Sequence, residues 1–120
     1  MKYTQLLPFM EKEELKKIAQ EIIKGELEGV KLEALFPFLG RDNLNDIVDQ
    51  LIEKKETETL HRVIPFVSRE RVLEIYRASE KGELPGFDSA KCIPFLSSDV
   101  IKEIFRELVK KEAALSKEDD

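Results

Sequence analysis

Cysteine and histidine, the side chains that most readily serve as nucleophile, base or metal ligand, occur once each in this chain, as Cys92 and His61. A nucleophile–base pair or a metal site needs several such groups held together. The 25 Asp and Glu residues could supply paired acids for general acid–base chemistry, but their spacing favours structural roles. The five glycines form no phosphate-binding loop. The sequence therefore predicts no catalytic residue, no cofactor and no metal.

Positive charges show a more suggestive pattern. Lys12, Arg41 and Arg69 each stand four residues after a proline. If the segments that carry them stack side by side, these cations form a ladder along one edge and can bind an acidic segment of a partner. Three more arginines add a basic cluster: Arg62, Arg71 and Arg77. The alternative is a solvated charged face that nearby acids balance.

An internal repeat predicts the elements that position these residues. A Pro-Phe pair occurs four times, at intervals of 29, 28 and 29 residues, as Pro8-Phe9, Pro37-Phe38, Pro65-Phe66 and Pro94-Phe95. An acid stands five residues after each proline, and apolar residues stand seven, ten and eleven after it. This spacing is typical of one apolar helix face, with an acid in the first turn where the helix dipole favours negative charge.

Each unit therefore divides into a longer helix A and a shorter helix B. The predicted A helices span residues 12–25, 41–55, 69–81 and 98–113, and the B helices span 30–39, 58–67 and 88–96, with a partial first copy at 3–10. Gly40, Ser68 and Ser97 stand at the N-cap positions of A helices. Because proline disturbs the end of helix B, we expect a bent turn that directs the next side chain inward, with equivalent core sites for Phe9, Phe38, Phe66 and Phe95.

The fold class that follows is all-α, with about four tandem helix pairs stacked as a short right-handed α-solenoid or a compact helical array. Residues 24–38 and 81–95, two periods apart, are identical at seven of fifteen positions. The pattern resembles short bacterial HEAT-like repeats of the α-solenoid class, since tetratricopeptide and ankyrin units are longer and have other consensus words. The resemblance covers residues 3–112 and implies a protein that binds other proteins. We predict one domain at 1–115 and a disordered acidic tail at 116–120.

The repeat also predicts the surroundings of the two reactive side chains. Cys92 takes a position that is aliphatic in the other three units, so we expect a buried, inert thiol. His61 takes a position that varies in character from unit to unit, so we expect it at the surface.

Net charge, cysteine content and the length of apolar runs indicate which partners and which cellular compartment to expect. A formal net charge of −5 predicts an acidic surface, which repels phosphate backbones and makes nucleic acid an unexpected partner. A single cysteine allows no internal disulfide and fits a reducing compartment, and no apolar run has the length of a membrane span. The sequence predicts a cytoplasmic protein.

These observations favour a non-catalytic interaction module that binds another protein, or a second copy of itself through its terminal units. The terminal candidates are Tyr3, Leu7 and Met10 at one end and Phe105 and Val109 at the other. The alternative is an enzyme or small-ligand-binding protein with a pocket between helices near the third unit. There, Ser79 and Glu80 replace an aliphatic pair, which indicates either an interaction notch or a shorter helix with a longer loop.

Overall fold

The computed structural model describes residues 1–118, and within them every regular element is helical. The α-helices are α1 (Lys12–Ile23), α2 (Leu32–Leu39), α3 (Arg41–Glu53), α4 (Thr57–Val63), α5 (Arg69–Glu80) and α6 (Ser98–Glu118). The 3-10 segments are Tyr3–Gln5, Leu7–Phe9, Ile64–Phe66 and Ser89–Phe95. The all-α prediction is confirmed.

The four longer helices begin at the predicted residues, and side-chain caps account for the starts of α5 and α6. The Arg71 backbone N–H donates to Ser68 Oγ at 3.2 Å, and the Val100 N–H donates to Ser97 Oγ at 3.3 Å. Each bond satisfies a donor that the first turn of a helix leaves free. Gly40 precedes α3 with a φ of 85°, a conformation that is strained for any residue with a Cβ.

The segments predicted as B helices are shorter and tighter than expected. α4 ends at Val63 and continues as the 3-10 segment Ile64–Phe66, while the last segment, Ser89–Phe95, is 3-10 throughout. Pro37 alone of the four prolines lies within an α-helix. Proline lacks an N–H and crowds the preceding turn, which accounts for the tightened backbone.

The elements contact one another in chain order. α1 packs against α2, α2 packs against α3 and α4, and α5 packs against Ser89–Phe95. The segments that contain the prolines also contact their neighbours, so that Leu7–Phe9 lies against α2 and Ile64–Phe66 lies against Ser89–Phe95. The resulting body measures 64 × 27 × 22 Å.

The expectation that the four Pro-Phe phenylalanines anchor the core is wrong. Phe9 is 88% exposed, Phe66 is 43% exposed and Phe95 is 37% exposed, while Phe38 is half-buried. Their environments are therefore neither buried nor equivalent.

The core is built instead from the residues on the other side of each proline. Leu7, Phe36 and Ile64, which directly precede a proline, are buried. In α2 the buried side chains recur at intervals of three and four residues, which defines a single helix face, and they are Leu32, Leu35, Phe36 and Leu39. Phe38 lies roughly 100° around the helix from the centre of that face, and it is half-buried.

α6 is longer than predicted. It has 21 residues, against 12 or 13 in α1, α3 and α5. It passes the predicted end at residue 113 and continues through residues 116–118, which the sequence assigned to a tail; residues 119–120 lie outside the described residues. Every residue from Phe105 to Ser116 is exposed.

The third unit does not have the shorter A helix that the sequence favoured, since α5 has 12 residues, as α1 has. The polar residues at the end of α5 form hydrogen bonds with the loop that follows the helix. Ser79 Oγ donates to the Phe87 carbonyl at 3.5 Å, and Ser89 Oγ donates to Glu80 Oε1 at 2.9 Å.

Candidate functional site

The six cations that the sequence singled out fall into two groups. Each member of the first group forms an ion pair with an acid on another helix. Arg62 of α4 pairs with Glu33 of α2, Arg71 of α5 with Asp49 of α3, and Arg77 of α5 with Glu107 of α6. The structure does not bring these arginines together as a basic patch.

Arg71 is the most enclosed of the three, with 18% of its side chain exposed. It bonds to Asp49 and, through Nη1, to Glu74 Oε2 at 2.8 Å. Its buried Nε has no hydrogen-bond partner among the described residues. The guanidinium thus depends on the two carboxylates to offset the cost of its burial.

The Arg62–Glu33 and Arg77–Glu107 ion pairs shift the pKa values of their carboxyl groups. Burial acts to raise the pKa of Glu33, but hydrogen bonds from backbone and from Arg62, together with nearby positive charge, outweigh burial and hold that pKa below 4.5. Arg77 donates to both oxygens of Glu107, at 2.6 and 3.0 Å. These hydrogen bonds lower the pKa of Glu107 and raise the pKa of Arg77.

The second group contains Lys12, Arg41 and Arg69, which are exposed and form no ion pair with a described residue. Lys12 and Arg41 line one cleft of about 290 Å³, although the acids Glu13 and Asp42 line it too. The Lys12 side chain lies over Gly40, where an added Cβ would be 3.3 Å from Lys12 Nζ. Lys12 and Arg41 thus share one cleft, whereas Arg69 does not line it.

A second cleft of about 360 Å³ adjoins the first, because Gly40 and Arg41 line both. Polar and apolar surface line it in about equal parts, and Arg41 is the single charged residue in its lining, which comprises Phe36, Pro37, Gly40, Arg41, Leu44, Asn45, Phe66, Val67 and Ser68. The rings of Phe36 and Phe66 lie 5.9 Å apart at a tilt of 51°. We call the two adjoining clefts the corner groove.

Cys92 is fully buried, as predicted. Burial, with a smaller contribution from the negative charge of Asp88, raises the pKa of its thiol to about 11. A thiol that is protonated and enclosed in this way is a poor nucleophile.

His61 is not the surface residue that the sequence predicted, because only 14% of its side chain is exposed. Its ring stacks on Phe87 at 4.5 Å, and its Nε2 accepts a hydrogen bond from the Asp88 N–H at 2.9 Å. No local signal reveals this role, since the partner lies in the next unit, 27 residues away.

Of the terminal candidates at the first end, Leu7 is buried and Met10 is half-buried, contrary to expectation. Tyr3 is exposed, and its Oη accepts a hydrogen bond from the Lys31 N–H at 3.2 Å. Phe105 and Val109 are exposed, as predicted.

The third unit has a cleft of about 480 Å³ on the outer face of α5. Five of its seven lining residues are charged, although most of the surface that they present to the cleft is apolar. The lining includes neither Ser79, Glu80, His61 nor Cys92: it consists of Glu70, Leu73, Glu74, Arg77, Ala78, Lys81 and Glu83. Within residues 1–118 no three His, Cys, Asp or Glu side chains are grouped to hold a metal ion. None of the described helices combines the length and apolarity that crossing a membrane requires.

In comparisons with known proteins, no family model, no curated protein and no solved structure matches this chain. The fold defines an all-α protein, and its function has to be argued from the surfaces just described.

Proposed function

We propose that this chain is a non-catalytic protein-interaction module built from HEAT-like helix pairs, and that the corner groove is where it binds a partner. The partner segment we propose combines an apolar side chain with a neighbouring carboxylate. The observation that carries the proposal is the second cleft, in which Arg41, unpaired among the described residues, lines the same wall as the exposed apolar side chains of Pro37 and Phe66.

The tandem array is supported by contacts that join residues one period apart. Tyr3 bonds to Lys31, 28 residues on, and Glu33 bonds to Arg62, 29 residues on. His61 bonds to Asp88, and Arg77 bonds to Glu107, at separations of 27 and 30 residues. Contacts between each unit and the next are what a stack of repeats requires.

The corner groove suits a peptide because of how its two kinds of surface are arranged. Phe66 and Pro37 expose apolar surface, and covering such surface is favourable by about 25 cal/mol per Å². Arg41 can then form a charge-assisted, two-pronged hydrogen bond with a carboxylate. Lys12 lies further along the same groove and is placed to meet a second acidic group.

The ion pairs that the other three arginines form support the corner groove as the binding surface. Arg62, Arg71 and Arg77 already bond to carboxylates of the chain itself, so an acidic partner would have to displace those bonds. Arg41 has no such competitor among the described residues.

The test is selection of binders from a library of random peptides, with the purified chain as bait. We expect the selected peptides to share an apolar residue beside Asp or Glu, and their affinity to fall as salt is raised. Arg41→Glu should weaken binding by about tenfold or more, since it removes one charge-assisted bond and places like charges together. Phe66→Ala should also weaken binding.

The matched control is Lys110→Glu, the same charge change at an exposed position on α6, which should leave peptide affinity unchanged. Selection of no common motif, or of peptides that bind Arg41→Glu as well as the original chain, would contradict the groove as the binding site.

A further inference from the structure

The outer face of α6 carries more exposed apolar surface than any other helix that the structure describes. Five of the eleven exposed large hydrophobic side chains lie on it, and these are Ile101, Phe105, Leu108, Val109 and Leu115. Ile101, Phe105 and Leu108 have the four- and three-residue spacing of a helix face that packs against another helix. Glu112, four after Leu108 and three before Leu115, shares that face. On its inner side α6 buries Ile104.

The second half of α6 also lacks lateral support. From Phe105 to Ser116 no residue is buried or half-buried. Isolated helices of about 12–15 residues or fewer are marginal in water, so a projecting helical stretch of this size is stable only if its apolar face is covered. The described residues provide no such cover.

We propose that a second copy of this chain covers the face, through an antiparallel α6–α6 pair about a twofold axis. The other way for two copies to meet is end to end, with the α6 of one copy against the α1 of the next. The outer face of α1 disfavours that arrangement, because its exposed side chains are charged and include Glu13, Glu14, Lys17 and Glu21. No large hydrophobic residue of α1 is exposed; the exposed Leu6 and Phe9 precede it in the chain, and the Phe9→Asp variant tests whether they meet α6 instead.

Charge complementarity indicates the register of the pair. With the twofold axis at the level of Glu107, Phe105 lies level with Val109 of the second copy. The same register sets the exposed Lys102 beside Glu112 of the second copy, and symmetry forms this pair twice. The 21 residues of α6 have the length of three heptads, and this register overlaps nearly all of them.

Sedimentation velocity over a dilution series tests the proposal. The unaltered chain should sediment as a dimer at high concentration and dissociate on dilution, with no larger species. Leu108→Asp should leave it monomeric at every concentration, because a charge then lies in the apolar seam. The control Phe9→Asp, an equally drastic change at the other end of the chain, should dimerise as before, and circular dichroism should show both variants folded.

A charge swap tests the register and does not depend on the apolar variants. Lys102→Glu should weaken dimerisation by about tenfold or more, since like charges then face each other twice. Lys102→Glu combined with Glu112→Lys should restore it. A monomer at all concentrations, growth beyond a dimer, or a dimer that survives Leu108→Asp would overturn the proposal, and a charge swap without rescue would overturn the register. Peptide binding at the corner groove is measured separately with the Leu108→Asp monomer, so that either proposal can fail alone.

Discussion

The three arginines that pair between helices and the three exposed cations at the starts of A helices have the same charge but different surroundings. Arg62, Arg71 and Arg77 join helices that are distant in sequence, whereas Lys12, Arg41 and Arg69 remain exposed and unpaired among the described residues. Position along the helix does not decide this, because Arg69 and Arg71 both lie in the first turn of α5 and only Arg71 is paired. What differs is the helix face: each paired arginine meets an acid on another helix, whereas Lys12, Arg41 and Arg69 meet none among the described residues.

The comparison extends to the aromatic residues. Phe36, directly before a proline, is fully buried, whereas Phe9, directly after one, is almost fully exposed. We therefore expect the paired arginines and the buried aromatic residues to determine the free energy of unfolding. The unpaired cations and the exposed aromatic residues should have little effect on it.

The largest effect is expected for Phe36→Ala. Removal of a fully buried aromatic side chain should lower the free energy of unfolding by about 3–5 kcal/mol. Phe9→Ala should change it by less than about 0.5 kcal/mol, and Phe66→Ala should fall between the two, because Phe66 is 43% exposed and contacts Phe36. Denaturant titrations measure all three, and equal losses at Phe36 and Phe9 would refute the division into inner and outer aromatic residues.

Arg71→Ala should have the next largest effect. It leaves Asp49 and Glu74 without their partner, but both carboxylates are exposed to water, so we expect a loss of about 1 kcal/mol. Arg69→Ala, two residues away and exposed, should cost less than about 0.5 kcal/mol. A double-mutant cycle between Arg71 and Asp49 isolates their interaction, and a coupling energy of zero would show that this pair does not hold α3 to α5.

Acid should weaken the ion pairs of Glu33 and Glu107. The pKa of each carboxyl is lower in the folded chain than its ordinary value of 4.5. The stability that each pair contributes is therefore present above that value, and is lost as the pH falls through the lowered pKa. Unfolding measured from neutral pH down to pH values below 4.5 should show a shallower decline for Glu33→Gln and Glu107→Gln than for the original chain. Curves of identical slope would mean that the pairs contribute nothing.

The smallest effect on stability is expected in the corner groove. Arg41→Glu should change the free energy of unfolding by less than about 0.5 kcal/mol, because the side chain is exposed and unpaired among the described residues. The same variant should lose peptide affinity, so it separates binding from folding. A large loss of stability would instead assign Arg41 to the framework, together with Arg71.

The prediction that the four Pro-Phe phenylalanines anchor the core was wrong for a specific reason. The recurrence of Pro-Phe correctly located the corners, but a large apolar residue that recurs can serve either the core or a surface. The orientation of each ring depends on the backbone around the proline, and only the structure shows the 3-10 turns that bury Leu7 and Ile64 and leave Phe9 and Phe66 outside.

The sequence by itself determined the helical class, the starts of α1, α3, α5 and α6, and the burial of Cys92. These follow from local chemistry, namely a cap, a first-turn acid and an apolar stripe, or from one residue's place in a periodic pattern. Tertiary structure alone decided which charges are paired and which remain free. The partners of Arg62 and Arg77 lie 29 and 30 residues away, and whether two side chains meet across such a separation depends on how the helices pack.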